Sequence, residues 1–296
     1  MKKMLFVSLL AASFAGKAQS ALTVQDTVRP FLKGNLPAYQ VDIPETKGKE
    51  IDKTWSNYLK KLSKEKSRGE GDELIVSGVL FKNISPNPLT VYSKTLETQN
   101  GVRLTAAFEL DSLHFISPGT NADQDLAAKK FLRDYAVLQY RAVAEKQLAD
   151  EQDRLKELKN KLDGFIKKEE KAVKSIEEKK RSIGRNQDAI KSNEADLEVK
   201  NEALEGQKRT VEAAKTNTPE ALKAEEKKLK EQESERNKLI KTGEKLHGDI
   251  DDWNADIRAA ERDIDEARQN QKVTNDQIDK QKKAVNQAED KVKGIK

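Results

Sequence analysis

A seven-residue repeat runs through the back half of this chain and dictates how that half can fold. From Leu148, every seventh position reads Leu148, Leu155, Leu162, Glu169, Ile176, Ile183, Ile190, Leu197, Leu204 and Val211, apolar at nine of ten. That period lays the residues in one stripe along an α-helix, and a stripe of this length must be covered by another helix. The companion positions three residues on begin apolar (Leu158, Phe165, Ala172) and then turn polar (Lys179, Asn186, Asn193, Lys200, Gln207). The far part of the helix therefore carries the narrower apolar stripe and the weaker grip. Asn121 followed by Gln124 fits a capping box and opens the helix.

Thr216-Asn217-Thr218-Pro219-Glu220 interrupts the run, with Thr218 suited to an N-cap and Pro219 to the first helical position. A second series follows: Leu222, Leu229, Arg236, Gly243, Ile250, Ile257, Ile264, Gln271, Ile278, Val285, Val292. Its companion positions read Leu239, Leu246, Trp253, Ala260, Ala267, Thr274, Gln281, Ala288, Ile295. Leu148 and Leu222 are 74 residues apart, four more than a multiple of seven, so the phase changes at the proline. Gly243 and Gly248 do not shift it. Two long helices are predicted, roughly 140 Å and 115 Å in length at about 1.5 Å per residue.

Neither helix can bury its stripe alone. An antiparallel coiled-coil hairpin turning at Asn217 pairs positions whose numbers sum to about 435. It sets Trp253 near Ile183 and Gly184, where the missing side chain leaves room for an indole, and returns Ile295 to Tyr140 and Val143. A continuous rod in a parallel homo-oligomer competes with this arrangement. The rod leaves the phase change and the Thr-Pro start without a cause.

The front of the chain is different material. Six of the seven prolines precede residue 120, and thirteen of the fifteen Phe, Trp and Tyr residues precede residue 141. Tyr39, Val41 and Ile43 alternate with Gln40 and Asp42 as a half-buried strand. Ile51, Trp55, Tyr58, Leu59 and Leu62 recur at helical spacing, predicting an amphipathic helix of about four turns. Leu74–Ile84 is a β-rich run ended by Pro86 and Pro88, and Leu89–Thr98 with Val102–Asp111 form a hairpin around Asn100-Gly101. Leu96 opposite Leu104 and Tyr92 opposite Phe108 would keep apolar side chains together, which predicts a three-residue Gln99-Asn100-Gly101 loop with Gly101 as a left-handed bulge. The expected fold is α+β: a small four-stranded, mostly antiparallel sheet with one or two helices, followed by the long antiparallel coiled-coil hairpin. The expected boundaries are a signal peptide at 1–20, a head at 21–120, and a coiled-coil hairpin at 121–296, with arms 121–216 and 219–296 around a turn at 217–218.

Lys2 and Lys3, the apolar run Met4–Ala15, and Gly16-Lys17-Ala18-Gln19-Ser20 have the three-part pattern of a secretory signal cut before Ala21. A membrane anchor is the weaker reading, since a span needs about 20 apolar residues and Lys17 interrupts this run. The expectation is export to the periplasm or the extracellular space. Without the three lysines of the leader the net charge falls from +5 to +2. Residues 21–124 hold 13 basic and 13 acidic side chains, and residues 125–296 hold 40 and 38. No segment concentrates positive charge as a phosphate-binding surface requires, so nucleic acid is not an expected partner.

Chemistry-bearing residues are few. The chain has no cysteine, which removes disulfides, thiol nucleophiles and thiolate metal sites. His114 sits in Leu-His-Phe-Ile at the end of the sheet with Asp111 as the nearest acid, and one such pair is not a site. His247 lies on a charged helix surface. Gly69-Glu70-Gly71-Asp72-Glu73 lacks the ligand periodicity of a calcium loop and reads as a linker. No phosphate-binding glycine loop, nucleophile elbow or HExxH motif occurs. No catalytic, cofactor-binding or metal residue is assigned, no cofactor is implied, and the chain is not expected to be an enzyme.

Asp42-Ile43-Pro44 through Trp55-x-x-Tyr58-Leu59-Lys60-Lys61, Val91-Tyr92-x-Lys94, Gly101-Val102-x-Leu104-Thr105 and Ala127-x-Lys129-x-Phe131-Leu132-x-Asp134-Tyr135-Ala136 together carry a resemblance. The chain resembles an uncharacterised secreted Bacteroidetes family with a small α+β head and a long C-terminal coiled coil. The resemblance implies export and that two-part plan, and no activity. The expected role is an exported, non-enzymatic structural or interaction protein of the cell envelope, whose partners are proteins, with a homo-oligomer left open. The alternative is a periplasmic holdase-type chaperone with helical arms, similar in outline to the Skp family. A holdase needs exposed apolar inner surface, whereas here the seams consume the apolar residues.

Overall fold

The computed structural model describes residues 22–63, 65, 67–112, 114–119, 121–216 and 218–296. The leader at 1–20 with its cleavage before Ala21, and Asn217 of the predicted turn, lie outside the described residues. The chain is α+β and falls into two compact units, one taking residues up to Arg154 together with Gln281–Lys296, the other Leu155–Lys280. Its elements are β1 (Gln25–Phe31), β2 (Gly34–Pro44), α1 (Gly48–Lys60), β3 (Arg68–Glu70), β4 (Glu73–Val79), β5 (Leu89–Thr98), β6 (Gly101–Asp111), β7 (His114–Phe115), α2 (Ala122–Ala214) and α3 (Pro219–Gly294).

The first unit holds a sheet of seven strands where four were expected, in the order β1-β2-β6-β5-β4-β3 with β7 also on β6. All its pairings are antiparallel. The extra strands come from hairpins hidden in polar sequence. β1 and β2 are joined at Leu32-Lys33, with Phe31 opposite Gly34 at φ 115°. The Gly69–Glu73 stretch is a hairpin rather than a linker, with Gly71 at φ 63° between β3 and β4.

One face of the sheet carries the core. Val41 and Ile43 of β2, Leu104 and Phe108 of β6 and Val91 of β5 pack against Ile51, Trp55 and Leu59 of α1. Ala128, Leu132, Tyr135 and Ala136 of α2 complete the cover. Trp55 donates its indole N–H to Ser93 Oγ at 2.8 Å, so its polar edge is satisfied while its rings stack on Tyr58 and meet Phe131 tilted and Tyr135 edge-on.

That bond explains why the predicted β5–β6 register is wrong. Ser93, not Tyr92, faces the core, and Tyr92 pairs with Ala107 while Leu96 pairs with Arg103. Leu96 is left 62% exposed. The loop has two residues, Gln99 and Asn100, and Thr98 pairs directly with Gly101. Gly101, at φ 150°, forms no bulge in that pairing. Its role is close approach, because a Cβ there would lie 2.1 Å from the Ile43 carbonyl oxygen.

Asn121 Oδ1 accepts the amides of Asp123 and Gln124 at 2.9 and 3.2 Å and opens α2 as predicted. Thr218 Oγ1 accepts the Ala221 amide at 3.3 Å, and Pro219 is the first residue of α3. Both helices pass unbroken through their heptad series, including Gly243 and Gly248.

Within the second unit the two helices run antiparallel. Lys168 meets Asp263, Lys179 meets Asp256 at 2.6 Å, Lys200 meets Glu235 at 2.5 Å, and Gln207 bonds Glu225 at 2.7 Å. The 179–256 and 200–235 pairs sum to the expected 435. Ile176, Ile257 and Ile264 are buried together there. The polar breaks in the two series meet each other: Glu169 accepts from Gln271 and from Arg268, both at 2.7 Å. One expected detail is corrected. A Cβ on Gly184 would meet nothing within 4 Å, so the Trp253 indole does not occupy the space its missing side chain leaves.

Candidate functional site

Because the β1–β2 hairpin continues past the β2–β6 pairing, its tip reaches the face of the sheet opposite the helices. Phe31, Leu36, Ala38 and Ala107 form a small apolar cluster there, flanked by Tyr92 and Phe115. Lys33, at the tip, binds the Glu109 carboxylate of β6, while the Tyr92 hydroxyl donates to the other carboxylate oxygen at 2.8 Å. The ammonium also lies 5.8 Å from the centre of the Tyr92 ring and 5.6 Å from that of Phe115. Next along the tip, the Leu32 amide donates to Glu73 Oε1 at 2.9 Å, while Glu73 Oε2 is buried without a hydrogen-bond partner.

The protonation states of this cluster are those of a fastening. The hydrogen bond to Glu109 holds the Lys33 ammonium above the ordinary lysine value of 10.5, despite some burial. Burial pushes the Tyr92 phenol up, and its bond to Glu109 adds to that. A lysine kept charged and a phenol kept protonated are neither nucleophile nor base at neutral pH.

A second polar cluster lies at the other end of β2. Glu45 has φ 59°, the one positive φ among the described residues other than glycine, and its amide donates to the Asn100 carbonyl at 2.7 Å. This conformation aims its carboxylate at Lys291 of α3, at 2.6 and 2.7 Å, and at Gln147 of α2, at 2.8 Å. Burial raises the carboxyl, but these bonds outweigh it and hold the group below the ordinary 4.5. Lys291 lies 5.5 Å from the centre of the Tyr140 ring, and Arg141 donates to the Ile295 carbonyl at 2.7 Å. The return of Ile295 toward Tyr140 is thus met by named contacts inside the first unit. Beside Glu45, an open depression of about 600 Å³ lies between Leu22–Gln25 and the ends of β2 and β6. Its charged walls, Asp42 and Arg103, bond each other at 2.7 and 2.9 Å.

The two histidines fall where the sequence puts them. His114, on β7, is exposed and bonds Asp111 through Nδ1 at 2.8 and 3.0 Å, and His247 lies exposed on α3. The structure does not bring them together. Among the described residues, no group of three or more His, Asp or Glu side chains is arranged to hold a metal ion. No helix there is long and apolar enough to cross a membrane. Sequence reasoning missed Lys33, Glu73 and Glu109 as a set. Glu109 lay in a strand with small or apolar neighbours on both faces, a sign that both faces are covered, but its partner is 76 residues away. No protein-family model matches the chain, and no curated protein matches it.

Proposed function

We propose that this chain is an exported, non-enzymatic structural or interaction protein of the cell envelope, combining an α+β head with an antiparallel coiled-coil stalk. The observation that carries the reading is the way the two helices of the second unit consume their own chemistry. Apolar stripe residues such as Ile176, Ile257 and Ile264 are turned on one another, and polar breaks are matched across the seam. Such helices act as a spacer with a solvated, charge-balanced exterior. The polar contacts of the head support the same reading, since Glu73 and Glu109 fasten the tip of the β1–β2 hairpin and Glu45 fastens the end of α3. A holdase would need a continuous apolar surface free to grip clients, whereas the exposed apolar side chains of the second unit, such as Val173, Val199 and Val273, are spread along the two helices. Proximity labelling from the head in the native cell tests the proposal: labelling of envelope proteins supports it, and labelling confined to cytoplasmic proteins overturns it. Suppression of client aggregation by the purified chain at stoichiometric levels would favour the holdase instead.

A further inference from the structure

We infer that the second unit carries a self-association face, centred on Val199, whose occupant is a second copy of this chain. Val199 lies on α2 outside the heptad stripe, and its side chain is 67% exposed. It does not stand alone. Ala203 on the same helix and half-buried Leu239 on α3 line one groove with it, about 480 Å³ in volume. Four charges frame that apolar floor: Asp196 and Lys200 on α2, Glu235 and Lys238 on α3.

Their arrangement selects the occupant. Lys200 and Glu235 form an ion pair at 2.5 Å, which fixes the level of one helix against the other. In that antiparallel register Asp196 stands level with Lys238, so the four charges form a checkerboard, with acid and base alternating along and across the groove. A two-fold axis parallel to the groove would set α2 of one copy against α3 of the other, placing Asp196 against Lys238 and Lys200 against Glu235. A two-fold axis running across the groove would set α2 against α2 reversed, placing Asp196 against Lys200 and Glu235 against Lys238. Every facing pair is of opposite sign in both cases. A checkerboard of this kind is complementary to itself, which an isologous interface between identical subunits requires. The exposed valine then enters an apolar floor instead of water. This association is independent of what the head binds.

Sedimentation velocity on the purified chain, from about 1 to about 100 µM, tests the inference. A monomer–dimer equilibrium is expected, weakening as salt rises from about 0.1 to about 1 M, because the Debye length shrinks from about 10 to about 3 Å. Val199→Asp should weaken it about tenfold or more by placing a charge on the apolar floor. Asp196→Lys should weaken it about fivefold, since symmetry breaks two surface ion pairs at once. Val273→Asp is the control: that side chain is 50% exposed but does not line the groove, and the equilibrium should not change. All three positions are exposed, and helical circular dichroism checks that each variant folds. A chain that stays monomeric over the whole range overturns the inference. So does a dimer indifferent to Val199→Asp, or one weakened equally by Val273→Asp.

Discussion

Removing either partner of the Lys33–Glu109 pair should destabilise the head, but by unequal amounts, and the inequality follows from burial. The Glu109 side chain is 8% exposed and that of Lys33 is 38% exposed. When Glu109→Gln removes the carboxylate, Lys33 can turn into water, and the neutral amide can still accept from Tyr92. The loss is that of one charge-assisted hydrogen bond, nominally about 1.5–3 kcal/mol and discounted to about 1 because Lys33 is well solvated. When Lys33→Met removes the cation, the Glu109 carboxylate stays buried, with only the Tyr92 hydroxyl to stabilise it. A buried charge stripped of its partner costs about 3–5 kcal/mol, and the remaining phenol bond brings this to about 2–3. The double variant should then be less destabilised than Lys33→Met alone. The assay is urea unfolding of each variant, followed by near-ultraviolet circular dichroism of the head aromatics. Equal losses, or a milder Lys33→Met, would refute the assignment of Glu109 as the buried member.

Two further outcomes follow from the same geometry. Gly101→Ala should cost about 2–4 kcal/mol and loosen the Ile43–Val102 and Pro44–Gly101 pairs, because its Cβ collides with the Ile43 carbonyl; amide exchange at the end of β2 reports it. Protonation should act at both extremes of pH. Lys33 has its value raised on folding, so its contribution is complete below 10.5 and fades as pH climbs beyond it; Glu45 has its value lowered, so its contribution is complete above 4.5 and fades as pH falls. Urea midpoints should therefore decline less steeply at alkaline pH in a Lys33→Met background, the buried phenols of Tyr39 and Tyr135 and the ammonium of Lys129 keeping the remainder of the decline, and an unchanged slope would remove Lys33 as a contributor.

The helices were legible because their signal is repetitive and local. Seven-residue spacing accumulates over many turns, and Thr218-Pro219 states a helix start in two residues. α1 was legible for the same reason, through Ile51, Trp55 and Leu59. The sheet was harder to read, since strand signals are short and depend on partners. Pro37 sits within β2, and Arg29 and Pro30 obscure the pattern of β1, so neither that strand nor the length of β2 announced itself. The β5 register misled because matching Leu96 to Leu104 looked apolar on paper, whereas a small hydroxyl at Ser93 was required beneath the Trp55 indole. The clusters around Glu109 and Glu45 could not be read from sequence at all. Each joins residues from distant strands or helices, Glu45 to Lys291 being 246 residues apart.

The antiparallel register of α2 and α3 underlies the whole account, and a cysteine pair tests it most directly, because the chain has no cysteine of its own. A Cβ placed on Gly243 would lie 3.0 Å from Asn193 Oδ1, so cysteines at these two positions are within reach of disulfide geometry. Oxidation of dilute Asn193→Cys/Gly243→Cys protein should give an intramolecular crosslink, read as faster migration on a non-reducing gel. Crosslinks formed solely between molecules, or an intramolecular crosslink for Asn193→Cys/Ile250→Cys but not for the first pair, would contradict it.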